Sequence, residues 1–321
     1  VFASDSLAGK QVIVYQHSAV GRDLIVELLQ SLGAEVVPVG RSDVFVPIDT
    51  ENVTDENKAY FTQLAQDYPT AFAIVSTDGD SDRPFVIDET GTFHRGDVLG
   101  CVVANFTGAD FAAVPVSAND AVQVFCKDND IELVGTKIGS PYVIVAMQAA
   151  AQHKNLAGWE VNGGFLMGSD VAIGNGTLKA LPTRDAVLPI LAALLSAAQR
   201  DIPVSRLFSE LPKRYTGGGL LDNVSIDGIQ KFLALTKDSA QVAELMQRLF
   251  EGSDLGAVTG IDLTDGVRLT FASGDVMHFR PSGNAPQFRI YTTADTQERA
   301  DDLTRQALQP GGYIEKLLQL A

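Results

Sequence analysis

Short apolar runs rich in β-branched residues alternate with segments of helical apolar spacing from near the start of the chain onward. Residues 12–15 and 35–39 are predicted strands, and the helix predicted between them covers residues 22–32. A polar connection and a helix over residues 55–67 then lead to a buried strand at residues 71–75. This order predicts a parallel sheet with covering helices, because parallel strands need a crossover connection that is usually helical.

The same alternation resumes near residue 96 and gives way to a different pattern in the last third of the chain. The later predicted elements are helices over 97–106, 118–128, 141–152, 183–200, 229–250 and 296–308, strands over 112–116 and 131–134, three short strands between the last two helices, and a linker over 211–219. We therefore predict two consecutive α/β domains with mixed or parallel sheets flanked by helices, plus a smaller C-terminal α+β domain. The predicted domains are residues 1–93, 94–208 and 209–321.

Composition limits the classes of partner that the chain can have. Hydrophobic residues make up 45% and charged residues 20% of the 321 residues, which is typical of a globular protein. The net charge of −16 argues against nucleic acid and anionic membrane as general partners, although a local basic pocket can still bind a small anion. No apolar stretch is long enough for a membrane span and no secretory signal is visible, so we expect a cytoplasmic protein with Cys101 and Cys126 as buried free thiols.

An acidic loop from Asp78 to Arg83 directly follows a predicted buried strand. Ligands of open α/β sheets bind where strands end, which is where this loop lies. The carboxylates of Asp78, Asp80 and Asp82 stand at alternate positions and can converge on one side of an extended segment. Clustered like charges favour a hard divalent cation, and Arg83 can hold a carboxylate or a phosphate oxygen in a forked contact.

Two other interpretations of the acidic loop compete with a metal site of this kind. Asp78, Asp80, Asp82 and Glu89 match the ligand positions one, three, five and twelve of an EF-hand calcium loop. Its sixth position needs glycine, however, and that position is Arg83 here, while a strand rather than a helix precedes the loop. A solvated turn without an ion is the other alternative.

A basic loop lies between two predicted strands of the last domain. Arg280 and Arg289 flank the turn formed by Ser282, Gly283 and Asn284. Together these residues offer guanidinium forks, a hydroxyl, an amide and backbone N–H groups, which suit a phosphate dianion. A hairpin turn with two surface arginines is the alternative.

Two further loops carry weaker signals. Glu160 and Asn162 can hydrogen-bond vicinal hydroxyls, and Gly163 and Gly164 would let a ligand approach the backbone, although a structural turn is the better interpretation of this loop alone. Lys137 offers a charge for a phosphate or a hydroxyl, but most such lysines are merely solvated.

Taken in order, these loops resemble those of the α-D-phosphohexomutase superfamily, which includes bacterial phosphomannomutase/phosphoglucomutase enzymes. The likeness covers nearly the whole chain. Residues 78–83 are similar to the magnesium loop of that family, residues 158–164 to its sugar-binding loop, and residues 280–286 with Arg289 to its phosphate-binding loop. Four such matches in the right order, including Lys137, are far more specific than any one of them.

The resemblance implies reversible transfer of a phosphoryl group between the 1- and 6-positions of a hexose phosphate through a hexose bisphosphate. The substrate expected first is mannose 1-phosphate or mannose 6-phosphate. It implies Mg²⁺ held by Asp78, Asp80 and Asp82, with Arg83 and Lys137 in catalytic roles. The implied substrate-binding residues are Glu160, Asn162, Gly163, Arg280, Ser282, Gly283, Asn284 and Arg289.

The sequence departs from the family pattern in two respects. Family members have four domains, and this chain resembles the second to the fourth, with no Ser-His-Asn-Pro-like loop for the phosphorylated serine. Because an initiator Met is also absent, we expect that a first domain of the same protein is missing and that the chain alone is inactive. In the sugar loop, Asn162 and Gly164 replace the usual serine and histidine, and Ser140 and the Asn284-Ala285 pair depart from other family motifs.

Two alternatives to a mutase remain open at this point. One is a non-catalytic phosphosugar-binding module, which would bind mannose 1-phosphate without turnover even after a first domain is supplied. The other is a magnesium- or calcium-binding structural protein, for which Arg280 and Arg289 would have no phosphate-dependent role.

Overall fold

The computed structural model describes residues 1–51, 53–282 and 285–320 of the chain, and these residues divide into two units. The first unit comprises residues Val1–Pro212 and the second Lys213–Ala321. None of the helices in the described ranges combines the length and the apolarity that crossing a membrane requires. The division into three domains stays a prediction.

The first sheet of unit 1 carries the acidic loop. Its strands are β1 (Gln11–Tyr15), β2 (Glu35–Val39), β3 (Ala71–Thr77), β4 (Pro84–Asp88) and β5 (Phe93–His94), and its helices are α1 (Arg22–Ser31) and α2 (Asp55–Asp67). The strand order is β2-β1-β3-β4-β5. β1 pairs in parallel with β2 and β3, as predicted, whereas β4 and β5 are antiparallel to their neighbours. The sheet is mixed because the short acidic loop reverses the chain between β3 and β4, and a short connection can join only antiparallel strands.

The second sheet of unit 1 carries the sugar-loop residues. The elements are α3 (Gly96–Thr107), β6 (Phe111–Pro115), α4 (Ala121–Asp128), β7 (Glu132–Thr136), α5 (Ser140–Ala149), β8 (Leu156–Trp159), β9 (Phe165–Met167), β10 (Val171–Ile173), β11 (Gly176–Leu178), β12 (Leu181–Asp185), α6 (Val187–Gln199) and α7 (Val204–Ser209). The sheet order is β12-β9-β8-β6-β7, with β6 parallel to β7 and β8, and β8, β9 and β12 antiparallel in turn. β10 and β11 form a separate hairpin.

The long helix predicted over residues 183–200 is wrong at its start. Residues 181–185 form strand β12, and α6 begins only at Val187. The carboxylate of Asp185 accepts a hydrogen bond from the Val187 backbone N–H at 2.8 Å, which satisfies a free donor of the first helical turn. The helix therefore begins after Asp185, and Arg184 belongs to a strand.

Helices α3 and α6 form much of the core of unit 1. Buried residues of both helices belong to the apolar cluster against β1, β3 and β4, and to a second cluster against β6, β8 and β9. The fully buried Trp159 at the end of β8 donates its indole N–H to the Asp97 carbonyl at 3.0 Å. This contact fixes the start of α3 beside the residues that follow β8. Cys101 and Cys126 are buried free thiols, as predicted.

Unit 2 is built on an antiparallel sheet. Its elements are β13 (Tyr215–Leu221), α8 (Ile226–Leu235), α9 (Ser239–Leu249), β14 (Val258–Asp262), β15 (Val267–Phe271), β16 (Val276–Pro281), β17 (Phe288–Ala294), α10 (Gln297–Leu308) and α11 (Tyr313–Leu320). The strand order is β13-β17-β16-β15-β14, and every neighbouring pair is antiparallel. Unit 2 thus has the α+β composition that was predicted.

Three predictions for this last region are wrong in part. The described residues between α9 and α10 form the four strands β14 to β17, where three were predicted. Residues 215–219 of the predicted linker belong to β13, which pairs with β17 along its whole length. Its glycines allow close packing instead of a loop, because a Cβ at Gly217 or Gly219 would lie 2.5 Å from a side chain of α10. The helical segment predicted over 229–250 is two helices, because the side chain of Asp238 caps a new one by accepting from two backbone N–H groups.

Replacing Gly100 of α3 by alanine should destabilise unit 1. A Cβ at this position would lie 2.2 Å from the Trp159 ring, which is buried and held by its hydrogen bond. Helix propensity alone favours alanine by about 1 kcal/mol, but overpacking of a tight core typically costs about 1–3 kcal/mol and should exceed that gain here. We expect a lower urea midpoint, followed by the fluorescence of Trp159, the single tryptophan.

Gly79→Ala is the matched control for that change. A Cβ at Gly79 would meet only the exposed ring of Phe45, at 3.3 Å, and that ring can move away. A Gly100→Ala protein as stable as the control would show that the Trp159 packing yields more easily than the structure implies.

Candidate functional site

The acidic loop is a closed connection between β3 and β4. The Asp78 backbone N–H donates to the Arg83 carbonyl at 3.0 Å, and the Ser81 N–H donates to the Asp78 carbonyl at 3.2 Å. Ser81 adopts the left-handed conformation, with φ of 63°. Its hydroxyl oxygen accepts from the Thr77 hydroxyl and from the Gly21 backbone N–H, both at 2.9 Å. These contacts compensate a backbone conformation that is uncommon outside glycine and give the loop a single shape.

The three aspartates of this loop converge, as their spacing predicted. One carboxylate oxygen of each of Asp78, Asp80 and Asp82 can be chosen so that all three lie within 4.8 Å of one another. Asp78 is buried, and its Oδ1 accepts backbone N–H bonds from Asp82 and Arg83 at 3.2 and 3.1 Å. Burial, reinforced by the neighbouring Asp80 and Asp82, raises the pKa of Asp78 to about 6.

This donor set fits a hard divalent cation. All three groups supply carboxylate oxygens, the ligand type that Mg²⁺ and Ca²⁺ prefer. The Oδ1 atom of Asp82 is buried and has no hydrogen-bond partner among the described residues. A cation bound between the aspartates would compensate both this unsatisfied oxygen and the repulsion among the carboxylates.

Two arginines compensate part of the negative charge. Arg83 Nε lies 3.6 Å from Asp78 Oδ2 and 3.5 Å from Asp82 Oδ1, so the Arg83 side chain lies against two carboxylates of the acidic loop. Arg184 of β12 lies closer, with its Nε 2.8 Å from Asp82 Oδ2 and its Nη1 3.7 Å from Glu160 Oε2. Arg184 therefore links the acidic loop to the sugar loop.

The sugar loop is a tight turn between β8 and β9. The Gly163 N–H donates to the Glu160 carbonyl at 2.9 Å, and the Glu160 N–H donates to the Gly164 carbonyl at 3.1 Å. The amide oxygen of Asn162 accepts from the Gly164 N–H at 3.0 Å, so it is used within the loop. Glu160 is buried, and this burial raises its pKa, with Arg184 opposing the shift. Its Oε2 has no hydrogen-bond partner within the described ranges.

Close backbone contact ties the sugar loop to the rest of unit 1. A Cβ at Gly96, the first residue of α3, would lie 2.1 Å from the Gly163 nitrogen. Gly163 itself has φ of 89°, and a Cβ there would meet the ring of Pro84, the first residue of β4, at 2.9 Å. The acidic loop ends just before Pro84, so the two loops are neighbours.

Lys137 follows β7 and is exposed. Because β6 is parallel to both β7 and β8, Lys137 and Glu160 follow strands at the same, carboxyl edge of the second sheet. The ammonium of Lys137 lies 5.9 Å from the centre of the Tyr142 ring, a weak cation–π contact. The structure thus leaves Lys137 available at that edge without fixing it by an ion pair in the described part of the chain.

The basic loop of unit 2 lies between β16 and β17, where Arg280 and Arg289 are opposite each other in the strand register. Arg280 Nε donates to Asp265 Oδ2 at 3.0 Å, and His278 Nε2 donates to the Asp265 carbonyl at 2.6 Å. Burial lowers the pKa of His278 to about 4, so the ring is neutral near pH 7. Asp265 therefore joins His278 to Arg280.

Ser282 and Arg289 complete the described part of this basic loop. The Ser282 N–H donates to the Gln287 carbonyl at 2.8 Å, closing the loop. Arg289 Nε is buried and has no hydrogen-bond partner among the residues that the structure describes. Gly283 and Asn284, both predicted to bind substrate, lie outside the described residues.

Sequence reasoning missed Arg184 and Asp265. Arg184 was missed because it fell within a predicted helix. The signal pointing to it was indirect: position 164 is glycine where related loops carry a histidine, so space is left there for another side chain. Asp265 lies in the region for which only short strands were predicted. Its contact with Arg280 depends on strand pairing, which local sequence does not reveal.

Comparison with known families supports the resemblance. The family profile described as phosphoglucomutase/phosphomannomutase, alpha/beta/alpha domain II, matches residues 2–91, and the profile for domain III matches residues 95–215. The chain belongs to the phosphoglucomutase/phosphomannomutase family. Within this family, the acidic loop falls in the domain II match and the sugar loop in the domain III match.

Individual relatives agree with that assignment. A phosphomannomutase of Sinorhizobium fredii is 42% identical over 306 residues, which are 94% of this chain and 62% of that protein. The chain thus spans less than two thirds of the length of this relative.

Solved structures of related proteins share the fold. A phosphoglucomutase/phosphomannomutase family protein from Burkholderia thailandensis superposes with a TM-score of 0.68 at 17% identity, over 94% of this chain and 61% of that one. An Aspergillus fumigatus N-acetylphosphoglucosamine mutase, solved with GlcNAc-6P and magnesium, gives 0.59 at 14% identity, over 98% and 61%.

Asp78→Asn should stabilise the protein at neutral pH when divalent cations are removed by EDTA. The pKa of Asp78 is raised from 3.8 to about 6, so below about pH 4 the carboxyl is protonated in both the folded and the unfolded state. As the pH rises from about 4 to about 6, the unfolded state releases its proton first and stability falls. Asparagine avoids this loss, and its Oδ1 can keep the two backbone hydrogen bonds.

We expect Asp78→Asn to gain on the order of 1–2 kcal/mol at pH 7 and little at pH 4, measured by urea unfolding. Asp43→Asn is the control, because it removes a carboxylate whose side chain is 92% exposed. An equal gain at both pH values, or an equal gain in the control, would contradict the assigned cause.

Proposed function

We propose that this chain is the metal-, sugar- and phosphate-binding part of a phosphohexomutase that interconverts mannose 1-phosphate and mannose 6-phosphate, working in the cytoplasm. The observation that carries the proposal is the convergence of Asp78, Asp80 and Asp82 beside the sugar-loop residue Glu160, with Arg184 between the two loops. The name of the Sinorhizobium fredii relative, a phosphomannomutase, supports mannose over other hexoses.

The metal in this proposal is Mg²⁺, held by Asp78, Asp80 and Asp82. The fungal mutase with the same fold was solved with magnesium, which supports this choice. When bound, Mg²⁺ would neutralise charge on a phosphoryl group during transfer, a reaction that depends mainly on positioning and electrostatics. Arg83, already against two of the aspartates, would stabilise the phosphoryl oxygens by a forked contact.

The remaining site residues bind the substrate in this proposal. Glu160 would accept hydrogen bonds from sugar hydroxyls through Oε2, which has no hydrogen-bond partner among the described residues, while Gly163 leaves the backbone accessible and Lys137 contacts the substrate. Asn162 would contribute its amide nitrogen, since its oxygen is used within the loop. In unit 2, the phosphate that does not react would be bound by Arg280, Ser282, Gly283, Asn284 and Arg289.

The phosphoryl donor is assigned to a phosphoserine of a further domain, because the 321 residues contain no Ser-His-Asn-Pro-like loop. The phosphoserine would transfer its group to the free hydroxyl of the hexose phosphate, giving a hexose bisphosphate and a free serine hydroxyl. The serine would then accept the other phosphate, so that atoms and charge balance over the cycle. On this proposal the chain alone binds hexose phosphate weakly and does not turn it over.

A second candidate function is phosphosugar binding without catalysis. The observation in its favour is that the chain contains loops for a metal, a sugar and a phosphate but no donor loop, and spans 62% of a catalytic relative's length. On this alternative, supplying the family's first domain would not produce turnover.

The test is conversion of mannose 1-phosphate and glucose 1-phosphate, followed by ³¹P NMR, with hexose 1,6-bisphosphate and Mg²⁺ present. We expect no turnover by this chain alone, and turnover of mannose 1-phosphate by a protein that joins it to the first domain of the Sinorhizobium fredii relative. Saturable binding without turnover in both samples would favour the second candidate.

Two substitutions in the active joined protein should affect different kinetic steps. Asp80→Asn removes a proposed Mg²⁺ ligand. Loss of a residue that only hydrogen-bonds to a metal ligand typically lowers metal affinity about 10–100-fold, so we expect Mg²⁺ affinity to fall by at least that much. Arg280→Ala removes a charged hydrogen bond to phosphate, of about 1.5–3 kcal/mol, and should raise KM about 10–100-fold.

The readouts are the Mg²⁺ dependence of the rate and KM for mannose 1-phosphate. Arg206→Ala is the control, because it removes an exposed arginine whose partner is Glu210. Unchanged Mg²⁺ dependence in Asp80→Asn would exclude this aspartate as a ligand.

A further inference from the structure

Arg184 forms ion pairs with both the acidic loop and the sugar loop. Its Nε lies 2.8 Å from Asp82 Oδ2, and its Nη1 lies 3.7 Å from Glu160 Oε2. The acidic loop joins strands of the first sheet, and the sugar loop joins strands of the second. A single guanidinium group therefore spans the two sheets at the point where the proposed metal and sugar ligands meet.

The backbone around Arg184 directs its side chain to this place. β12 pairs with β9 at Leu181↔Met167 and Asp185↔Phe165, and the register is irregular between those pairs. Irregularities of this kind re-aim side chains and often lie beside functional sites. Arg184 lies within the irregular stretch, one residue before the second pair.

Glycine at position 164 makes room for the arginine. A Cβ at Gly164 would lie 2.6 Å from both Cγ and Cδ of Arg184, and 3.1 Å from its Cβ. The aliphatic part of Arg184 therefore covers the Gly164 backbone, in the space that any side chain at position 164 would need. Only glycine at this position lets the guanidinium reach Asp82 and Glu160 along the observed path.

Each of the two carboxylates that Arg184 contacts has one oxygen that faces an arginine at 3.5 Å or more without a hydrogen bond. Asp82 Oδ1 and Glu160 Oε2 are buried, and neither has a hydrogen-bond partner in the described ranges. Arg184 holds Asp82 by its other oxygen, and Arg83 Nε lies 3.5 Å from Asp82 Oδ1, too far for a good hydrogen bond, so Oδ1 can still bind a ligand of the acidic loop. A ligand that draws charge from Asp82 must also weaken the attraction between Asp82 and Arg184, and so leave Arg184 to interact more strongly with Glu160.

We propose that Arg184 is a positioning residue that couples the acidic loop to the sugar loop. Through it, a divalent cation bound by the aspartates of the acidic loop and a hexose phosphate bound at Glu160 strengthen each other's binding. This inference rests on the proposed function, since it concerns the same loops. Coupling of this kind is reciprocal and is measured as a ratio of dissociation constants. It adds to the proposed function a residue that ties the two binding events together.

The test measures Mn²⁺ binding by EPR, as a paramagnetic substitute for Mg²⁺, to this chain with and without saturating mannose 1-phosphate. For the wild type we expect mannose 1-phosphate to tighten Mn²⁺ binding by about fivefold or more, within the usual range of coupling between sites. For Arg184→Ala we expect the ratio to fall below about twofold. Mn²⁺ affinity alone can rise or fall in that variant, because a ligand-orienting contact and a repulsive charge are lost together.

Two further variants separate position from charge. Arg184→Lys keeps the charge but lacks the planar fork that reaches two carboxylates, so its ratio should also fall. Gly164→Ala keeps Arg184 but fills the space beneath it, and should reproduce the Arg184→Ala result. Arg206→Ala, the control, should keep the wild-type ratio, and thermal unfolding of each variant identifies any that fail to fold.

The outcomes distinguish this inference from the proposed function. If Arg184→Ala or Gly164→Ala folds and keeps the wild-type ratio, the coupling does not pass through Arg184 and the inference is wrong, while the proposed function stands. If the wild type binds both ligands with no mutual effect, the inference is also wrong. If the wild type binds neither Mn²⁺ nor mannose 1-phosphate, the proposed function falls, and this inference falls with it.

Discussion

Mutual repulsion among Asp78, Asp80 and Asp82 is the constraint around which this part of unit 1 is organised. One carboxylate oxygen from each residue lies within 4.8 Å of the other two, and one of the three side chains is buried. Each negative charge therefore raises the free energy needed to ionise the neighbouring carboxyl groups. The surrounding structure compensates in three ways: backbone N–H groups donate to Asp78, Arg83 lies beside the cluster, and Arg184 pairs with Asp82. These contacts offset part of the repulsion and leave carboxylate oxygens that can bind a cation.

Close backbone packing keeps the sugar loop next to this cluster. Gly96 and Gly163 approach each other so closely that a Cβ at Gly96 would overlap the backbone of Gly163. In the same way, the absence of a side chain at Gly100 leaves room for the ring of Trp159. Glycine therefore serves here to bring α3 against the turn that carries Glu160, since each added methyl group would push the turn away. The position of Glu160 relative to the aspartates follows from these contacts more than from any bond that Glu160 makes itself.

The sequence predicted the features that depend on local spacing and missed those that depend on strand pairing. Alternate aspartates after a buried strand predicted a converging cluster, because neighbouring positions in an extended segment determine their own geometry. Arg184 could not be found in this way, since its role depends on an irregular pairing of β12 with β9 and on an absent side chain at position 164. The glycine-rich stretch of β13 was misread as a linker for a similar reason: its glycines serve helix packing, which no local pattern distinguishes from a turn.

The arginines of the two units are held in different ways, and the difference bears on what they can bind. Arg280 is fixed through its Nε by Asp265, which removes much of the entropy cost of ordering the side chain for an anion. Arg289, opposite it in the sheet, retains a buried Nε without a partner in the described part of the chain, so an anion there would satisfy a donor that is otherwise unpaired. Arg184 is paired with carboxylates that are themselves proposed ligands. An arginine held by a structural aspartate keeps the same partner, whereas one held by ligand groups is attracted to them less strongly whenever those groups bind a cation.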